Sequence, residues 1–178
     1  MTSVPKVIDV EVALQEKIPD IYKKIPAVIL QLIKKIIRQD DINRMINESS
    51  HLHGIPLVDW ALDQFGVDIV VKGKERIPKN GQFIFSVNHP LGGLDGLAII
   101  TVVATIHQSV KLIANDLLRV IKGLEPVFLY IARFGKLDRQ NAREINKALA
   151  SDAQLLVQPA GTVSKRNPVK ISDLPWNK

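Results

Sequence analysis

From residue 67 onward, short apolar runs alternate with longer amphipathic stretches, and this alternation constrains the fold more than any other feature of the chain. "VDIVVKG" and "GQFIFSVNH" read as strands, and a helix begins near Leu94. "VKLIAN" is a short strand, "NDLLRVIKGL" a helical segment and "PVFLYIAR" a strand. "DRQNAREINKALAS" is a helix and "AQLLVQ" a last strand. Such an order predicts an α/β domain over 67–178, built around a largely parallel sheet. Residues 1–66 read as a helical N-terminal segment instead. There, "PAVILQLIKKIIR" (26–38) carries apolar residues at helical spacing, including Val28, Ile29, Leu32 and Ile36. "DDINRMINESSHLHG" predicts a second helix stopping at Gly54, and "PLVDWALDQFG" a third closed by Gly66. Beyond the last strand, "PAGTVSKRNPVKISDLPWNK" is rich in turn residues, and Leu174 and Trp176 have little to pack against. The domain therefore reads as incomplete at its C-terminus, or else this tail docks on a partner.

Composition narrows the function classes. With no cysteine among 178 residues, a disulfide framework, a thiolate metal site and cysteine catalysis are all excluded. His51 and His53 lie two apart without further ligands in the neighbouring sequence, so no metal site is expected. The apolar run Leu97 to Ile106 is interrupted by Thr101 and Thr105 and is far shorter than the roughly 20 residues that span a bilayer. The chain is thus expected to be soluble or to lie on a membrane surface. A net charge of +6 favours anionic partners. Aromatic residues make up only 5% and do not interleave with basic ones, so nucleic acid is the weakest of these partners. Between Asp20 and Asp40 the charges are all basic: Lys23, Lys24, Lys34, Lys35 and Arg38. Two readings of that helix stay open: a core-packing helix with a solvated basic face, or an amphipathic helix resting on anionic lipid.

Candidate chemistry lies at the strand-to-helix junctions, where α/β folds place their sites. "NHPLGGLDG" (88–96) follows the apolar "FIFSV", and its glycines allow the chain to turn tightly. Asp95 is within reach of a turned-back His89, and a carboxylate on one imidazole nitrogen makes the other a better base. The competing reading makes Asn88 and Asp95 turn and cap residues and leaves His89 merely exposed. "PAGTVSKR" (159–166) would emerge on the same edge of a parallel sheet. Its Gly161, Thr162, Lys165 and Arg166 suit an oxyanion or phosphate, or form a solvated basic turn. "RFGKLDRQNARE" (133–144) adds Arg133, Lys136, Arg139 and Arg143 after another strand, or else starts a helix with i, i+4 pairing such as Arg139 beside Arg143 and Glu144.

These three segments, in this order, resemble the glycerophospholipid and lysophospholipid acyltransferase superfamily. "NHPLGGLDG" is most similar to its bacterial branch with His-Pro-x-Gly-x-x-Asp-Gly, the haemolysin-like and ornithine- and glycine-lipid acyltransferases. The resemblance covers most of 65–175. It implies that His89 is the general base on an acceptor hydroxyl or amine and that Asp95 orients it. It further implies substrate-binding roles for Asn88, Gly135, Arg139, Gly161 and Thr162, with Lys165 and Arg166 beside them. The implied donor is an acyl thioester on acyl carrier protein or coenzyme A, the acceptor is a lipid, and no cofactor or metal is called for. The implied setting is the cytoplasmic side of the cell, peripheral on the inner face of its membrane and without a transmembrane helix. Five residues separate His89 from Asp95, a mark of this branch, and Ala160 stands where many members carry glutamate before Gly-Thr. Members also continue well past the third segment, which supports the reading of an incomplete domain. Two rivals follow: a non-catalytic membrane-surface lipid-binding fragment, and a hydrolase in which His89 activates water. The second lacks a Gly-x-Ser-x-Gly elbow.

Overall fold

The computed structural model describes residues 6–131, 139–166, 171–172 and 174–176. The chain forms two compact units, one up to His51 and one from Leu52. The division falls one helix earlier than the expected change at 66/67, because the third helix packs within the α/β unit.

The first unit holds α1 (Val10–Lys17), α2 (Pro19–Tyr22), α3 (Ala27–Ile37) and α4 (Gln39–Glu48). Asp9 caps α1 by accepting the Glu11 N–H at 2.9 Å. Two buried amides tie the entering chain to α4. Asn43 accepts from Val7 and Ile8 N–H at 2.9 and 2.7 Å, and Gln39 accepts from Val10 N–H at 2.8 Å. Helix α4 ends at Glu48 rather than running on to Gly54. The Ser49 hydroxyl donates back to the Met45 carbonyl at 2.8 Å, and Gly54 instead precedes the next helix at φ +62°. On α3 only Leu30 is buried. Val28 and Ile36 are 77% and 72% exposed, so the apolar stripe is not spent on a core as a packing helix would spend it.

The second unit opens with α5 (Ile55–Gln64), closed as expected by Gly66 at φ +62°. The Gly66 and Val67 N–H groups return to the carbonyls of Asp63 and Leu62, a Schellman ending. The strand expected over "VDIVVKG" does not form; that stretch is irregular, and Val70 is 82% exposed. Alternation alone makes no strand where no neighbour supplies a hydrogen-bond ladder. The rest of the alternation holds: β1 (Ile84–Ser86), α6 (Gly93–Ala104), β2 (Val110–Asn115), β3 (Phe128–Ile131), α7 (Arg139–Leu149) and β4 (Gln154–Val157). The helical segment after β2 is two 3-10 turns, Asp116–Val120 and Lys122–Leu124. A hairpin of β5 (Lys165–Arg166) and β6 (Ile171–Ser172) follows.

The main sheet has the order β1-β4-β2-β3 and is parallel throughout, so the fold is α/β as the alternation predicts. Period-two alternation sorts the two faces. Leu112, Phe128 and Leu156 join α5 and α6 in one core, while Leu129 and Leu155 meet Ala148 of α7 on the other. Gly123, in the second 3-10 turn, holds the start of α5: its carbonyl accepts the Gly54 N–H at 2.8 Å. A Cβ there would lie 2.7 Å from the Leu52 carbonyl and 2.5 Å from Leu57 Cδ2. Gly123→Ala is therefore expected to destabilise the unit by about 1–3 kcal/mol, read as a lower urea midpoint at constant slope.

Candidate active site

All four strands of a parallel sheet run out at one edge, and the chemistry-bearing loops gather there. After β1, the Val87 N–H still donates to the Val157 carbonyl at 3.0 Å, and the ladder then stops. The chain turns at Gly92, whose φ of +77° favours glycine, and enters α6 one residue later. Asp95 falls in the first turn of α6, where the helix dipole favours a carboxylate. Its Oδ2 accepts the Leu91 N–H at 2.6 Å and lies 3.4 Å from His89 Nδ1. The turn thus folds the carboxylate back onto the imidazole. Both side chains are largely buried, at 18% and 15% exposed. At 3.4 Å the pair is a close polar contact rather than a hydrogen bond, and Nδ1 has no other partner among the described residues. With Nδ1 turned to Asp95, Nε2 is the ring nitrogen available to a reacting group.

The loop after β4 closes the other side. Gly161, at φ +63°, donates its N–H to the Gln158 carbonyl at 2.9 Å, and the Ser164 N–H donates to the His89 carbonyl at 3.2 Å. The two loops are thereby stapled together. Between them opens a cavity of about 1020 Å³, at the upper end of the roughly 300–1,000 Å³ usual for small-molecule sites. Its lining includes the polar His89, Asn115, Gln158 and Thr162 and the apolar Leu112, Leu118 and Phe128. Leu174 and Trp176, expected to lack packing partners, also line it.

Of the residues singled out in the sequence, His89, Gly161 and Thr162 meet at this cavity, with Asp95 behind His89. Asn88, Arg139 and Lys165 are exposed and do not line it. Gly135 and the Arg166 side chain lie outside the described residues, as do Arg133 and Lys136. Sequence reasoning missed Gln158. Its signal was a polar residue directly after an apolar strand and before the Pro159 turn. Among the described residues there is no cluster of three or more potential metal ligands, and no helix is long and apolar enough to cross a membrane.

A family model described as "Acyltransferase" matches residues 12–178. A lyso-glycine lipid O-acyltransferase of Bacteroides thetaiotaomicron is 37% identical over 172 residues, 96% of this chain and 63% of its own length. One of the same description from Phocaeicola vulgatus is 33% identical, covering 96% of this chain and 62% of its own length. The chain thus spans somewhat under two thirds of the length of these curated relatives. No solved structure gives a significant match.

Proposed function

Because the chain belongs to the acyltransferase family, we propose that it moves a fatty acyl group from an acyl thioester to the hydroxyl of a lyso-glycine lipid. The observation that carries this reading is the His89–Asp95 contact at 3.4 Å on the wall of a cavity lined by both polar and apolar residues. The names of the two relatives favour lyso-glycine lipid over 1-acylglycerol 3-phosphate as acceptor. So does Ala160, which removes the glutamate many phosphate-acceptor members carry there.

In the reaction, His89 Nε2 takes the acceptor's hydroxyl proton while the hydroxyl oxygen attacks the thioester carbonyl carbon. Asp95 steadies the imidazolium. The tetrahedral oxyanion collapses, the C–S bond breaks, and the leaving thiolate recovers the proton from His89. No covalent enzyme intermediate is needed. Acyl carrier protein or coenzyme A carries the acyl group, and the apolar residues lining the cavity take the acyl chain. Incubating the protein with a palmitoyl thioester and either acceptor tests this. The expected outcome is O-acylated glycine lipid by mass spectrometry, with lysophosphatidic acid a much poorer acceptor. Vesicle binding without any acylation would favour the non-catalytic lipid-binding reading instead.

On this reading the chain works as a peripheral protein on the anionic inner face of the cell membrane. Helix α3 supports it. Val28, Leu32 and Ile36 are exposed apolar residues, and Lys23, Lys24 and Lys35 are exposed beside them. Lys34 and Arg38 are engaged instead by Glu11 and Asp41. Each basic residue near such a surface contributes about 1 kcal/mol. The double variant V28E/I36E is expected to weaken binding to vesicles containing anionic lipid by roughly tenfold or more. Both positions are solvent-facing, so its thermal midpoint should stay near wild type.

A further inference from the structure

We propose that Gln158 is a substrate-touching residue of this site, its side-chain amide donating, together with the Thr162 hydroxyl, to the oxygen of the acyl carbonyl. The proposal rests on the acyl-transfer reading and adds a residue that none of the three motif roles includes.

The argument starts from a cost. A buried polar atom without a hydrogen-bond partner is unfavourable, and native proteins keep few of them. Here Gln158 Nε2 and Thr162 Oγ1 are both buried and have no hydrogen-bond partner among the described residues. They are not scattered: both residues line the same cavity, in one loop, with His89. The other two such side-chain atoms among the described residues are His89 Nδ1, turned to Asp95 in the same site, and the Tyr130 hydroxyl, whose ring lies under the Arg119 guanidinium at 4.9 Å and does not line this cavity. Gln158 is also given room. Its Oε1 would lie 4.0 Å from a Cβ at Gly96, the residue after Asp95, so the amide rests over the first turn of α6. A Cβ at position 96 would lie 2.7 Å from Leu112 Cδ2.

The chemistry of the two donors selects the group they hold. Neither is charged, whereas a permanent anion buried against neutral donors alone would lose more hydration than they return. Amide and hydroxyl suit an oxygen that is neutral when bound and gains charge during reaction. In acyl transfer that oxygen belongs to the thioester carbonyl, which becomes the oxyanion as the acceptor oxygen bonds to carbon. It reverts to a carbonyl when the C–S bond breaks. Donors aimed at such an oxygen are worth about 10²–10³ in kcat each.

The test uses Gln158→Met, close in volume and unable to donate, in the full chain. Three readouts apply. The thermal midpoint should stay level or rise, since an unpaired buried amide is removed; a clear fall would mean that Gln158 is structural and would overturn the proposal. Binding of S-palmitoyl-pantetheine should exceed that of S-hexadecyl-pantetheine, which lacks the carbonyl, by severalfold in wild type and not in Gln158→Met. Equal preference in the two proteins would overturn it as well. With lyso-glycine lipid as acceptor, kcat should fall about 100-fold while the acceptor KM changes less than threefold; a raised acceptor KM at unchanged kcat would contradict it. The pantetheine comparison needs no turnover. A wild type that discriminates the two thiol derivatives but transfers nothing therefore counts against the acyl-transfer reading and for the Gln158 contact.

Discussion

Replacing His89 with alanine is expected to lower the rate of acyl transfer to lyso-glycine lipid by about 10²–10⁴-fold, the usual contribution of a general base. Binding of either substrate should change little, because the imidazole's work falls in the step that moves the proton. Stability should also hold. Asp95 keeps its bond from the Leu91 N–H at 2.6 Å, and the His89 link to the neighbouring loop runs through its backbone carbonyl, which alanine retains. Single-turnover rates with acceptor in excess, beside a thermal melt of the same preparation, measure both halves of the expectation.

The second large effect belongs to the scaffold. Leu156→Ala is expected to destabilise the α/β unit by about 2–5 kcal/mol. Leu156 is 0% exposed and lies on β4, between β1 and β2 in the sheet. It pairs in register with Phe85 on one side and Leu112 on the other. Strands on both sides fix its surroundings, so the space left by the lost methyl groups cannot close by a local shift. The damage also reaches the site, since Val157 and the Gln158–Thr162 loop continue the same strand. Denaturant unfolding should show a large fall in midpoint at constant slope, and activity should be lost at lower temperature than in wild type.

The fold was legible wherever local pattern and tertiary need agreed. "VKLIAN" and "AQLLVQ" became strands because both sheet faces are covered, and Gly66 ended α5 because the chain there needs positive φ. "VDIVVKG" has the same local pattern, yet it forms no strand, because pairing is decided by neighbours that no window of sequence contains. The insertion of β4 between β1 and β2 is likewise a tertiary fact. The site was legible in part for a simple reason: a parallel sheet gathers its carboxyl-end loops, so His89 and Gly161–Thr162 were expected at one edge, and they meet there. Of the basic residues singled out, Arg139 and Lys165 are exposed and do not line the cavity. Gln158, uncharged and outside the three motifs, left only a weak sequence signal and stands out through a buried amide without a partner among the described residues.

The central claim is that His89 and Asp95 act as one unit in acyl transfer. A double-mutant cycle tests it most directly: transfer rates for wild type, His89→Ala, Asp95→Ala and the double variant under identical conditions. Residues that act together are far from additive, so the double variant should be no slower than His89→Ala alone. A His89→Ala protein that keeps the wild-type rate, or two losses that simply multiply, would contradict the account.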